Sequence, residues 1–138
     1  MIKSASILVV EDELITAESI FELLEQEDFK MIGVAKDAAT AFQLCDKEIP
    51  QVVVCDINIK GEINGIELAK LLKQKFGCQI VFLTAYTDIR TVESAAAVEP
   101  VMYVIKPYND VQLLVAVQMA FHRLYKKQMP KINEQLQL

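Results

Sequence analysis

The sequence lacks any long apolar run; nothing in it approaches the ~18 consecutive apolar residues that a membrane-spanning helix requires. Its first residues, Met1 to Ser6, carry one lysine and lead only into the short stretch Ile7 to Val10. A signal peptide would need a longer apolar region and a small-residue cleavage site, so the expected location is cytoplasmic. Positive charge is also scarce: 14 Lys and Arg stand against 19 Asp and Glu, a net charge of −5. That balance argues against a nucleic-acid surface, which needs clustered basic residues on one face. The one basic cluster, His122-Arg123 with Lys126-Lys127, reads as a solvated helix end whose cations the helix dipole favours. Cys45, Cys55 and Cys78 are too far apart for metal-ligand or redox spacing, and they read as reduced thiols without a function, Cys55 as a small core residue.

What remains is a globular composition, 53% hydrophobic and 24% charged over 138 residues, enough for one domain with a real core. Apolar runs alternate with helical patterns. Ser6 to Val10, Met31 to Ala35, Val52 to Cys55, Ile80 to Leu83 and Val101 to Ile105 are expected strands. Between them, apolar residues recur at helical spacing. Leu14, Ala17, Ile20, Phe21 and Leu24 form one stripe, Ala38, Ala41, Phe42 and Cys45 a second. Ile66, Ala69, Leu72 and Phe76 form a third, stopped by Gly77. A fourth helix, capped by Thr87, carries only a weak stripe of Ile89, Val92 and Ala96, and the last, Val111 to Lys127, aligns Leu114, Val117, Phe121 and Leu124.

Strands apolar at successive positions need cover on both faces, which the intervening helices supply. The expected fold is therefore α/β: a single three-layer (βα)5 flavodoxin-like domain with a five-stranded parallel sheet of order 2-1-3-4-5. Ligands of such sheets bind beyond the carboxyl ends of the strands. Those ends carry Glu11-Asp12-Glu13, Asp56, Thr84 and Lys106-Pro107. Carboxylates a few ångströms apart repel by roughly 4 kcal/mol per pair at an effective dielectric near 20. Such a group keeps a proton or binds a cation, and oxygen ligands favour Mg²⁺. Lys106 on the same rim suits it to a phosphoryl group, Thr84 can donate to a phosphate oxygen, and Asp56 is the natural nucleophile. Each residue alone has an ordinary structural explanation, as a dipole-favoured acid, a cap or a surface charge. Their conjunction on one rim carries the reading.

The segments ILVVEDE, VVVCDINIKGEINGIELA, VFLTAYTD and YVIKPYN resemble the receiver domains of two-component response regulators, over roughly residues 5 to 127. The resemblance implies that Glu11 and Asp12 position Mg²⁺, that Asp56 accepts the phosphoryl group, and that the Asn58 backbone carbonyl ligates the metal. It implies Thr84 as the switch hydroxyl, Tyr103 as the switch aromatic and Lys106 as the lysine contacting the phosphoryl group. Lys106-Pro107 matches a peptide bond that is usually cis in receivers. The loop after Asp56 departs from the common pattern: Lys60 stands where many receivers have proline, Asn64 where aspartate is usual, and Gly65 lies one residue later.

The implied partners are a sensor histidine kinase or phosphotransfer protein, with no direct nucleic-acid or membrane binding. Readout is expected on helix four, strand five and helix five, where exposed apolar residues such as Leu113 and Tyr125 would form a partner or homodimer contact. The implied domain covers residues 5–127, with 128–138 a polar tail or the start of a linker, and it would catalyse only its own phosphorylation and dephosphorylation. His122 has no kinase-type bundle around it and reads as an ordinary helix residue. Two alternatives stand beside this: a phosphohydrolase of the haloacid dehalogenase type, which would need an aspartate where Asn58 stands, and a receiver-shaped docking module that is never phosphorylated.

Overall fold

The computed structural model describes residues 6–85 and 89–128. Five strands, β1 (Ser6–Val10), β2 (Lys30–Ala35), β3 (Val52–Asp56), β4 (Gln79–Thr84) and β5 (Met102–Ile105), alternate with five helices. The helices are α1 (Leu14–Gln26), α2 (Ala38–Lys47), α3 (Gly65–Phe76), α4 (Ile89–Ala96) and α5 (Asp110–Gln128). All strand pairs are parallel, in the order β2-β1-β3-β4-β5, as expected. The central strands β1, β3 and β4 are buried along their whole length, which is why they read as unbroken apolar runs.

Alternation along the strands divides the core in two. Leu8, Val10, Val53, Cys55, Ile80 and Phe82 face one layer, against Ala41 and Cys45 of α2 and Leu68, Ala69 and Leu72 of α3. Ile7, Val9, Val52, Val54, Val81 and Leu83 face the other, against Ile20 and Leu24 of α1 and the buried side of α5. Local signals set the helix ends. Asp37 and Asn64 cap α2 and α3 by accepting from the amides of Thr40 and Glu67, and Gly77 closes α3 in the left-handed region at φ 68°.

In two helices the buried face is shifted from the one the spacing suggests. In α5 the sheet-facing residues are Leu113, Ala116, Val117, Ala120 and Phe121, while Leu114 and Leu124 lie at the flank. Leu113 is thus fully buried rather than exposed, whereas Tyr125 is 41% exposed. In α4 the buried position is Ala95, followed just past the helix by Val98; Val92 is half-buried and Ala96 is exposed. The α4 stripe is turned by about one residue, 100° on a helix, and the α5 face by less, since Val117 and Phe121 are buried as expected; the small alanines that fit closest to the sheet carry little weight in an apolar pattern. Leu14 likewise points outward, 67% exposed, at the start of α1. Thr87, expected to cap α4, and the side chain of Ile89 lie outside the described residues. Among the described residues no helix is long and apolar enough to cross a membrane.

Candidate functional site

Sheet order reverses between β1 and β3, so the carboxyl ends of these two strands face a shared crevice. Glu11 directly follows β1, where its amide still donates to the Ala35 carbonyl of β2 at 2.9 Å. Asp56 is the last residue of β3. Lys106 follows β5, held to β4 by its amide on the Thr84 carbonyl at 2.8 Å. The backbones of Glu11, Asp56 and Lys106 are therefore each fixed at the end of a strand.

The geometry is tight. The Lys106 ammonium donates to Asp56 Oδ2 at 2.6 Å and to Glu11 Oε1 at 3.1 Å. The second Asp56 oxygen, Oδ1, accepts from the Asn58 amide at 2.8 Å. Carboxylate oxygens of Glu11, Asp12 and Asp56 lie within 4.8 Å of one another. Glu11 is 1% exposed, and its Oε2 is buried with no hydrogen-bond partner among the described residues. Burial and the neighbouring Asp56 carboxylate push the Glu11 pKa up to about 7, with Lys106 pulling the other way. Burial works against the Lys106 ammonium, but its hydrogen bonds to Asp56 and Glu11 and their charges hold its pKa well above the ordinary lysine value.

Two of the three carboxylates, Glu11 and Asp56, thus share one lysine, and one buried Glu11 oxygen has no partner among the described residues. Buried polar atoms are almost always paired, and an all-oxygen donor set of this kind fits a hard divalent cation. The orphaned Glu11 oxygen is the observation that makes the fit specific to this pocket.

Thr84 is buried at the end of β4, beside Lys106 across the β4–β5 ladder. Tyr103, in β5, lies opposite Phe82, their ring centroids 6.1 Å apart. Its hydroxyl is enclosed and has no partner among the described residues, and burial raises its pKa. The side chain therefore points inward. The Lys106–Pro107 peptide is cis. His122 is exposed on α5.

The loop between β3 and α3 contributes more than its residue types suggest. Gly65 starts α3 so close to β3 that a Cβ there would sit 1.9 Å from the Asp56 carbonyl oxygen and 2.9 Å from the Ile57 Cα. Only glycine allows this approach, and its amide closes the loop on the Ile57 carbonyl at 2.9 Å. Asn64, in place of the usual aspartate, keeps the capping function. The Lys60 amide donates to Asp12 Oδ2 at 3.1 Å; nothing in the residue type of Lys60 signals that contact. All three cysteines are buried, and burial raises their pKa values, that of Cys78 to about 12, so they stay protonated thiols.

A doubly wound parallel domain with an acidic cluster and a lysine at its switch point defines a narrow class of protein. A family model described as the response regulator receiver domain matches residues 7–118, and the chain belongs to that family, within two-component signalling. The transcriptional regulatory protein PdtaR of Mycobacterium tuberculosis is 29% identical over 117 residues, covering 85% of this chain and 57% of that protein. The sensory transduction protein LytT of Bacillus anthracis is 32% identical over 124 residues, covering 88% of this chain and 47% of that one. The chain therefore spans about half the length of the curated relatives it matches. The signal receiver domain of a modulated diguanylate cyclase from Desulfovibrio desulfuricans superposes with a TM-score of 0.81 at 28% identity, covering 87% of this chain and 95% of that one. A CheY-like receiver domain protein from Methanospirillum hungatei gives 0.82 at 21% identity over 90% and 98% of the two chains, a likeness of fold.

Proposed function

We propose that this domain, residues 5–127, accepts a phosphoryl group on Asp56 from the phosphohistidine of a sensor histidine kinase or phosphotransfer protein, with Mg²⁺ as cofactor. The observation that carries the reading is the state of Asp56: a rigidly placed carboxylate, bonded to Lys106 on one oxygen and to the Asn58 amide on the other, beside an unsatisfied Glu11 oxygen. Glu11, Asp12, Asp56 and the Asn58 backbone carbonyl would hold the metal. When bound, Mg²⁺ supplies positive charge that neutralises the clustered carboxylates and draws phosphoryl oxygens to the site.

The chain's own residues do the rest. A carboxylate oxygen of Asp56 attacks phosphorus, an O–P bond forms, and the P–N bond to the donor histidine breaks, leaving the electron pair on the imidazole. Lys106, relieved of part of its bond to Asp56, donates to the incoming phosphoryl oxygens. Thr84, on the neighbouring strand end, turns its hydroxyl toward the same group and couples it to Tyr103 as the switch pair. Readout then falls on α4, β5 and α5. There the exposed Val111 and Val115 line one cleft with Ile105 and, with Met119, a second cleft that His122, Arg123 and Lys126 also line. An apolar strip of this kind suits a partner protein or a second copy.

Acetyl phosphate with Mg²⁺ should add one phosphoryl group to the intact protein by mass spectrometry, and Asp56→Asn should abolish it. Equal labelling of the variant would overturn the assignment. Steady release of phosphate from simple phosphate esters would instead restore the hydrolase alternative, and no labelling at all would favour the docking module.

A further inference from the structure

The loop from Ile57 to Asn64 is pinned at both ends. At its start the Asn58 amide bonds Asp56 Oδ1; at its close the Gly65 amide bonds the Ile57 carbonyl and the Asn64 side chain caps α3. Midway, the Lys60 amide reaches 48 residues back along the chain to Asp12 Oδ2 at 3.1 Å. It is the one hydrogen bond drawn to the Asp12 carboxylate among the described residues. Asp12 differs from its two neighbours in needing such a bond. Glu11 and Asp56 leave the ends of buried strands and share Lys106, whereas Asp12 is half-buried, stands beyond the strand and has no ion pair among the described residues. Repulsion from two carboxylates within 4.8 Å would otherwise favour rotamers that turn it to water.

We infer that the backbone N–H of Lys60 is the positioning group that holds Asp12 in the metal site, and that position 60 in this loop excludes proline, which has no N–H. The Lys60 side chain takes no part. Hydrogen bonds that orient a ligating carboxylate are typically worth ten- to a hundredfold in metal affinity. The inference rests on the reading of Glu11, Asp12 and Asp56 as a Mg²⁺ site.

The test compares Mg²⁺ dissociation constants, by titration calorimetry on the full chain, for the parent, Lys60→Ala and Lys60→Pro. Alanine keeps the N–H and should bind within about twofold of the parent. Proline should bind about tenfold more weakly, about 1.4 kcal/mol. A second measurement needs neither metal nor the proline variant: amide hydrogen exchange at Lys60 in the metal-free parent should accelerate at least tenfold in Asp12→Ala. Equal affinity of the alanine and proline variants, or unchanged exchange at Lys60 in Asp12→Ala, would overturn the inference. Absence of Mg²⁺ binding by the parent would overturn the metal reading itself, while the exchange measurement would still decide whether Lys60 holds Asp12.

Discussion

Glu11 gives the site a measurable signature in the metal-free protein. Its carboxyl, 1% exposed and beside Asp56, has its pKa pushed from 4.5 to about 7. Between those values the folded protein binds more protons than the unfolded chain, so stability is fullest below about 4.5 and falls as pH rises through about 7. At about 1.4 kcal/mol per pKa unit, ionising Glu11 in the closed pocket destabilises the fold by about 3 kcal/mol. Asp37 and Glu48, whose hydrogen bonds and ion pair hold their pKa values down, act with the opposite sign and in more acid solution, so the windows separate. Urea unfolding followed by far-ultraviolet circular dichroism, with a chelator present, should show stability dropping from pH 5 to pH 8. Glu11→Gln should flatten that drop, and saturating Mg²⁺ should offset it: a hundredfold excess over the dissociation constant adds about 2.7 kcal/mol, present at pH 8 and much reduced at pH 5. Lys106→Met removes the one group pulling the pKa down and should move the drop to higher pH. Identical pH profiles for the parent and Glu11→Gln would refute the account of Glu11 as a strained acid awaiting a cation.

Gly65→Ala places a methyl 1.9 Å from the Asp56 carbonyl oxygen and should destabilise the domain by about 3 kcal/mol in urea, slowing Asp56 labelling as the acceptor's strand end shifts. Tyr103→Phe removes an enclosed hydroxyl without a partner among the described residues, so stability should hold or rise by about 1 kcal/mol; a clear loss would reveal a hydrogen bond to that hydroxyl. Lys73, in α3, donates to the Val98 and Glu99 carbonyls just past the end of α4, at 2.6 and 2.9 Å. Lys73→Met should lower stability by about 1 kcal/mol and speed amide exchange in the last turn of α4, with α1 and α2 unaffected.

The sequence alone determined the sheet and the rim. Strands buried on both faces must be apolar at every position, so they announce themselves without a partner strand in view, and the alternating pattern leaves few topologies. Because ligands gather at strand ends, Glu11, Asp12, Asp56, Thr84 and Lys106 could be grouped before any distance was known. Tertiary structure decided what periodicity leaves open. Helices α4 and α5 carry apolar residues at adjacent positions, so Ala95 against Ala96 and Leu113 against Leu114 is settled only by which side fits the sheet. The same holds for groups whose chemistry is that of any residue. The Lys60 amide, the space denied to a Cβ at Gly65 and the unsatisfied Glu11 oxygen arise where distant segments meet, and a residue's identity does not record what its backbone or its buried oxygen will face.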